Sequence, residues 1–340
     1  MVSRSRVSST LAGFGVAGLV FAVLFWVIGI DQIYDALLGA DLGLVGVAVA
    51  LMVAWVVVQG IALWTVWDSL GIDAPPWSAV LVFAGAAFAN NITPFGQAGG
   101  EPIAALLTTD VTDAEYESSL AAIAGADALN FVPSTSFALV GCATYAVVST
   151  LTAQLRSVLF ILVSFGVGVS ALGLVVWRTR ATVERTVVRI AKPPLRTLAR
   201  IVPRVSVPTP ERIEAGFQQF FTAIERIATN RRNLAIALLF STLGLLMQSS
   251  AMWVTFQALG AGIPYYVPLF VIPIGTMAAV GPTPGGLGSI ESVHIFLLTA
   301  MTSAPAPVVA AAVVIHSIGG YWLTMTVGAG SMGVIRSRTH

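Results

Sequence analysis

The stretch Thr93-Pro94-Phe95-Gly96-Gln97-Ala98-Gly99-Gly100-Glu101 interrupts an otherwise apolar run, and Thr283-Pro284-Gly285-Gly286-Leu287-Gly288-Ser289-Ile290-Glu291 repeats its punctuation later in the chain. Thr93 and Thr283, Pro94 and Pro284, Gly96 and Gly286, and Glu101 and Glu291 are each 190 residues apart. Proline removes a backbone donor and glycine permits tight turns, so each stretch should break a membrane helix. Broken apolar segments at corresponding positions of two halves point to the binding site of a transporter. A carboxylate in each break strengthens the case, because charge at membrane depth is costly and usually functional.

Composition sets the class. Of the 340 residues, 56% are hydrophobic and 10% are charged, against about 25% charged in average usage. That excludes an ordinary soluble globule and indicates a polytopic membrane protein of roughly six to nine helices. The formal charge of +1 conceals an asymmetry, because residues 178–232 hold twelve of the seventeen basic residues and four of the acidic ones. Cys142 is the only cysteine, which rules out an intrachain disulfide and a Cys-based metal site. Arg4 and Arg6 followed by an apolar run over 11–30 read as an uncleaved first helix.

Apolar runs predict spans at 11–30, 42–66, 118–148, 156–177, 233–259 and 305–330, with 118–148 long enough to be tilted or bent near Pro133. Two further runs, 78–107 and 266–303, contain the breaks. Arginine placement predicts a cytoplasmic N-terminus, 178–232 connector and C-terminus, with the 31–41 and 260–265 loops outside. Parity then decides how the broken segments behave. Single crossings would put the basic connector on the wrong side, whereas hairpins that leave on the side they entered put every basic cluster inside. The limb over about 99–108 is too short to cross at 1.5 Å per residue, which favours a re-entrant hairpin.

The expected fold is therefore an all-α integral membrane protein, one transmembrane domain over 1–340. Its first half, 1–177, holds hairpin 78–107, and its second half, 233–340, holds hairpin 266–303. The hairpins enter from opposite faces, so the halves form an inverted repeat, the architecture of alternating access. In the connector, Arg185, Arg189, Arg196 and Arg200 recur among apolar residues. The pattern suits a basic amphipathic helix on a lipid-headgroup surface, or simply an anchor obeying the positive-inside rule.

The string Pro284-Gly285-Gly286-Leu287-Gly288-Ser289-Ile290-Glu291 resembles the signature of the flippase-like membrane region of lysylphosphatidylglycerol synthases, and Asn91-Ile92-Thr93-Pro94 with Gly99-Gly100-Glu101 is similar to that family's first-half counterpart. The resemblance implies a polytopic fold that moves lipids or lipid-linked sugars between leaflets. It covers the chain from the second helix to the C-terminus. These 340 residues hold no stretch resembling the soluble aminoacyl-transfer domain of the bifunctional synthases, so synthesis of aminoacyl lipids is not expected of them. Where the family often has a Glu-Arg pair, this chain reads Gly125-Ala126-Asp127-Ala128, and where an Arg often stands in the last helix it reads His316-Ser317.

The candidate translocation residues are Asn91, Thr93, Pro94, Gly99, Gly100, Glu101, Asp127, Thr283, Pro284, Gly285, Gly286, Glu291 and His294. Glu101 and Glu291 begin helices after Gly-rich breaks, where a carboxylate either caps the helix or acts as a gating or coupling group. Asp127 lies within a span, where a carboxylate is rarely idle. Glu291 and His294 share a helix face at i and i+3, but a metal site would need further carboxylates. Asn90, Asn91 and Gln97 suit open backbone at the first break, and Gln59 and Gln248 suit interhelical contacts. No cofactor, metal or nucleic acid is expected. The expected activity is translocation of an anionic lipid or lipid-linked sugar phosphate, with proton coupling suggested by the placement of the glutamates and any pumping drawn from a gradient or an external partner. Two alternatives stay open: a membrane-embedded enzyme acting on lipid headgroups, and a non-transporting partner of a glycosyltransferase. The expected site is the cell membrane, with membrane lipids as partners.

Overall fold

In lipid every backbone polar group must be satisfied within its own segment, so apolar runs of this kind fold as helices. The computed structural model describes residues 4–93, 97–148, 210–280 and 283–338, with isolated positions between 164 and 179. Among them every regular element is helical. The expected span 156–177, Pro94 and the arginines at 185, 189, 196 and 200 lie outside the described residues or on their fringe.

The elements are α1 (Arg4–Ile28), α2 (Ile30–Leu38), α3 (Leu42–Leu70), α4 (Pro76–Ile92), α5 (Gln97–Thr112) and α6 (Tyr116–Val148). After the connector come α7 (Pro210–Thr229), α8 (Arg231–Ala258), α9 (Tyr266–Met277), α10 (Ser289–Met301), α11 (Ala306–Val313) and α12 (Gly319–Arg338). A π turn, Val314–Ile318, joins α11 to α12. Among the described residues, four helical stretches are long and apolar enough to cross a membrane: Leu42–Leu70, Tyr116–Tyr145, Arg231–Ala258 and Ala306–Ile335. The α1–α2 pair makes a fifth if the bent pair is one span. The protein is an all-α multi-pass membrane protein.

One expectation is corrected. The 31–41 segment is largely the helix α2, turned 87° from α1 at Gly29, whose φ of 101° is open to glycine. Helix α2 is amphipathic, burying Ile33 while Ile30, Tyr34 and Leu38 stay exposed. Its polar stripe at Asp31 and Asp35 made the segment look like a loop. Helix α6 runs on through Pro133 without ending.

Helices α3 and α8 form the central pair and run antiparallel. At one end the α8 amide Asn233 Nδ2 donates to Asp68 Oδ2 near the C-terminus of α3, at 2.6 Å. At the other, the Asp41 amide that caps α3 donates to the Ala258 carbonyl of α8, at 2.8 Å. Each end carries a core. The first gathers Leu63, Trp67, Val82, Leu107, Ile227 and Ile335. The second gathers Ile33, Phe256, Phe270, Leu297 and Val309.

The hairpins α4–α5 and α9–α10 start from these opposite ends. Trp64 Nε1 of α3 donates to the Ala74 carbonyl just before α4, and Trp253 Nε1 of α8 donates to the Ile263 carbonyl just before α9. With 12 to 17 residues each, the four limbs reach only about 18–26 Å at 1.5 Å per residue, short of a hydrocarbon core of about 30 Å. Packing comes in matched sets, with α4 against α12 and α9 against α6. Both crossings are held close by glycine, as membrane interfaces prefer. A Cβ at Gly141 of α6 would stand 2.6 Å from Phe270 Cβ, and one at Gly328 of α12 would stand 2.6 Å from Phe88 Cβ. Large side chains such as Trp26 and Leu42 stand outward, as suits a lipid-facing surface.

Candidate functional site

Where the tips of the two hairpins approach, the bundle forms a partly open cavity of about 550 Å³. Its wall is drawn from α3, α4, α5, α6, α8, α9, α10 and α12, and so from both sides of the α3–α8 pair. Two carboxylates, Glu101 and Asp127, line it, with the carboxamides Gln59, Asn90, Asn91, Asn130 and Gln248. Trp55, Phe83 and Phe131 supply aromatic surface.

The first break builds one side. Thr93 Oγ1 donates to the Ala89 carbonyl at 2.8 Å, which ends α4, and α5 resumes at Gln97. Gly99 lies in the first turn of α5. Gly100 is buried against Asn90, whose carboxamide fills the space a Cβ would need. Glu101 follows on α5, half-buried, at the cavity wall. Asn91 ties this break to the last helix: Asn91 Nδ2 donates to Thr324 Oγ1 at 2.9 Å, and Tyr321 Oη donates to the Asn91 carbonyl at 3.0 Å.

The second break is a 3₁₀ turn, Pro284–Gly286, in which Gly285 adopts φ 62° and ψ 11°. That left-handed conformation costs other residues roughly 1–2 kcal/mol, and the Asn91 side chain lies against the same position. Thr283, Pro284 and Gly286 are buried, and Gly285 reaches the cavity. Glu291 takes a different place from Glu101. It is 3% exposed and accepts the Gly288 N–H on Oε2 at 2.6 Å, capping α10. His294 is buried one turn on, its ring packed against Gly275 of α9. Neither Glu291 nor His294 is part of the cavity wall, whereas Ile290, on the neighbouring face of α10, is.

Helix α6 places Asp127 and Asn130 together, one turn apart, at the cavity. Gln59 Nε2 of α3 donates to Asn130 Oδ1 at 3.1 Å, so two crossing helices are fixed by one amide pair. Glu101 and Asp127 are within electrostatic reach of one another. Among the described residues no three His, Cys, Asp or Glu side chains come together in a way that could hold a metal ion. Sequence reading missed Trp55, Tyr321 and Thr324. The last two are polar positions three apart in a span, which was a usable signal.

A helical bundle with two broken hairpins and spans long enough to cross a membrane defines the class: an all-α multi-pass membrane protein. Residues 10–328 match the family described as the lysylphosphatidylglycerol synthase TM region, and the chain belongs to that family. A UPF0104 membrane protein of Methanothermobacter thermautotrophicus is 25% identical over 319 residues, covering 92% of this chain and 91% of the relative. A second UPF0104 membrane protein of that organism is 26% identical over 338 residues, covering 96% and 93%. One from Pyrococcus horikoshii is 24% identical over 292 residues, covering 82% and 83%.

Proposed function

We propose that this protein is a flippase-like translocator, moving the headgroup of an anionic lipid or a lipid-linked sugar phosphate across the cell membrane through the cavity between its hairpins. The single observation behind this reading is the cavity itself. It is large enough for a headgroup, carries carboxylates and carboxamides among apolar side chains, and is walled by both breaks. The halves act as an inverted repeat in this reading, supported by hairpins that start from opposite ends of α3–α8 and by the matched α4–α12 and α9–α6 packing. The termini and the 178–232 connector face the cytoplasm, supported by their arginines.

Glu101 is the group we assign to proton coupling. It faces the cavity beside Asp127, and two carboxylates in one low-dielectric space repel when both are charged. A proton bound there while a headgroup passes relieves that repulsion. The protein is read as a carrier and not as an enzyme, because its cavity is walled by both breaks, the arrangement of a translocation site.

The test is reconstitution into liposomes with a panel of fluorescent lipids, following movement between leaflets. Wild type should accelerate movement of at least one lipid class, and filling the cavity with Ala87→Trp should abolish it. Equal rates in protein-free, wild-type and Ala87→Trp vesicles for every lipid would overturn the reading.

A further inference from the structure

The chemistry of the cavity wall selects a kind of headgroup. We infer that the group seated in the cavity is the uncharged, polyhydroxylated ring of a lipid-linked sugar, a glycosyl headgroup, and that the phosphate of such a lipid stays outside the cavity wall. The inference rests on the cavity being the translocation site.

Charge is the first argument. No lysine or arginine occurs between Arg6 and Arg156, or between Arg232 and Arg336. Every residue of the described wall comes from those two intervals, and neither His294 nor His316 belongs to it. A phosphate seated there would lie beside Glu101 and Asp127 with no cationic side chain from the wall, and a buried charge without a partner is strongly disfavoured.

Hydrogen bonding is the second. The wall carries more carboxamides than carboxylates. Carboxylates only accept, whereas each carboxamide offers two N–H donors and a carbonyl acceptor. Hydroxyl groups also donate and accept, so a ring bearing several matches this mixture. An ammonium group would use the carboxylates and leave the amide donors idle. Gln59 is already oriented by its bond to Asn130.

Shape is the third. Trp55 and Phe83 meet edge to face in the wall, with centroids 5.6 Å apart and planes at 83°. Rings held in that way present a rigid apolar surface for the C–H face of a sugar, while the sugar's hydroxyls turn toward the amides. The volume of about 550 Å³ lies within the usual range of ligand pockets.

The test measures binding apart from transport. Wild-type protein in phosphatidylcholine nanodiscs is titrated with radiolabelled short-chain glucosyl-diacylglycerol, with phosphatidylglycerol and phosphatidylethanolamine of equal chain length as competitors. Saturable glycolipid binding that neither competitor displaces at tenfold excess is the expected result. Asn130→Leu and Trp55→Leu should each weaken it roughly tenfold, the worth of one good hydrogen bond or ring contact. Thermal unfolding identifies a misfolded variant, and Asn130→Asp, which keeps shape but removes the donors, then takes its place. Competition by phosphatidylglycerol or phosphatidylethanolamine as strong as by the glycolipid overturns the inference, as does wild-type affinity in both folded variants. Glycolipid binding without leaflet movement in liposomes leaves this inference standing and removes the translocator reading. Movement of phosphatidylglycerol alone does the reverse.

Discussion

Asn91, at the end of the first hairpin's leading helix, lies against Gly285 in the turn of the second, so that a Cβ on Gly285 would stand 2.7 Å from Asn91 Oδ1 and 3.2 Å from Asn91 Cα. The two breaks therefore touch, although 194 positions of chain separate them. Asn91 also holds Tyr321 and Thr324. One residue thus joins both hairpin tips to the last helix.

Substitution at this contact should be felt by both hairpins. Gly285→Val combines a left-handed backbone, costing roughly 1–2 kcal/mol, with overpacking of about 1–3 kcal/mol. We expect loss of transport and a lowered unfolding midpoint in detergent. Gly285→Ala should be milder, and Asn91→Ala should recover part of its stability loss, since neighbours that share a contact do not add. Purely additive losses in the double variant would show that the two residues do not interact.

The glutamates should behave differently despite their matching positions. Glu101→Gln should fold normally and make transport insensitive to pH, because the amide mimics only the protonated state. Glu291→Gln keeps an acceptor for the Gly288 N–H but loses the charge, so it should cost about 1 kcal/mol of stability with the pH response of transport intact. Transport across a pH series, with thermal unfolding alongside, checks both. An unaltered pH response in Glu101→Gln counts against the coupling role.

At the helix crossings, Gly141→Leu and Gly328→Leu should each destabilise by about 1–3 kcal/mol through overpacking. Gly330→Leu lies two positions from Gly328 with no atom within 4 Å of its would-be Cβ, and should change stability little. Unfolding in mixed micelles gives the comparison, and an equal cost at 328 and 330 would contradict the α4–α12 packing.

Topology can be read directly. In a Cys142→Ser background, a cysteine at position 190 should be labelled by an impermeant thiol reagent only after cells are broken, and one at position 262 in intact cells. Labelling of position 190 from outside would reverse the orientation and the hairpin assignment.

Much of the fold was legible because its determinants are local. Apolar runs demand helices in lipid, and proline and glycine end them near Thr93 and Thr283. Local signals failed at Gly29, where a single positive-φ glycine turned an expected loop into a helix at 87° to α1. They also presented Glu101 and Glu291 as equivalents. Both follow a Gly-rich break, yet only Glu101 faces the cavity, while Glu291 turns back to cap its own helix. The sequence by itself determined a helical membrane protein with two broken hairpins. Which carboxylate shares the cavity with Asp127, and that Asn91 meets Gly285, was decided only by tertiary structure, because the rotation of each helix about its axis is fixed by the distant side chains packed against it.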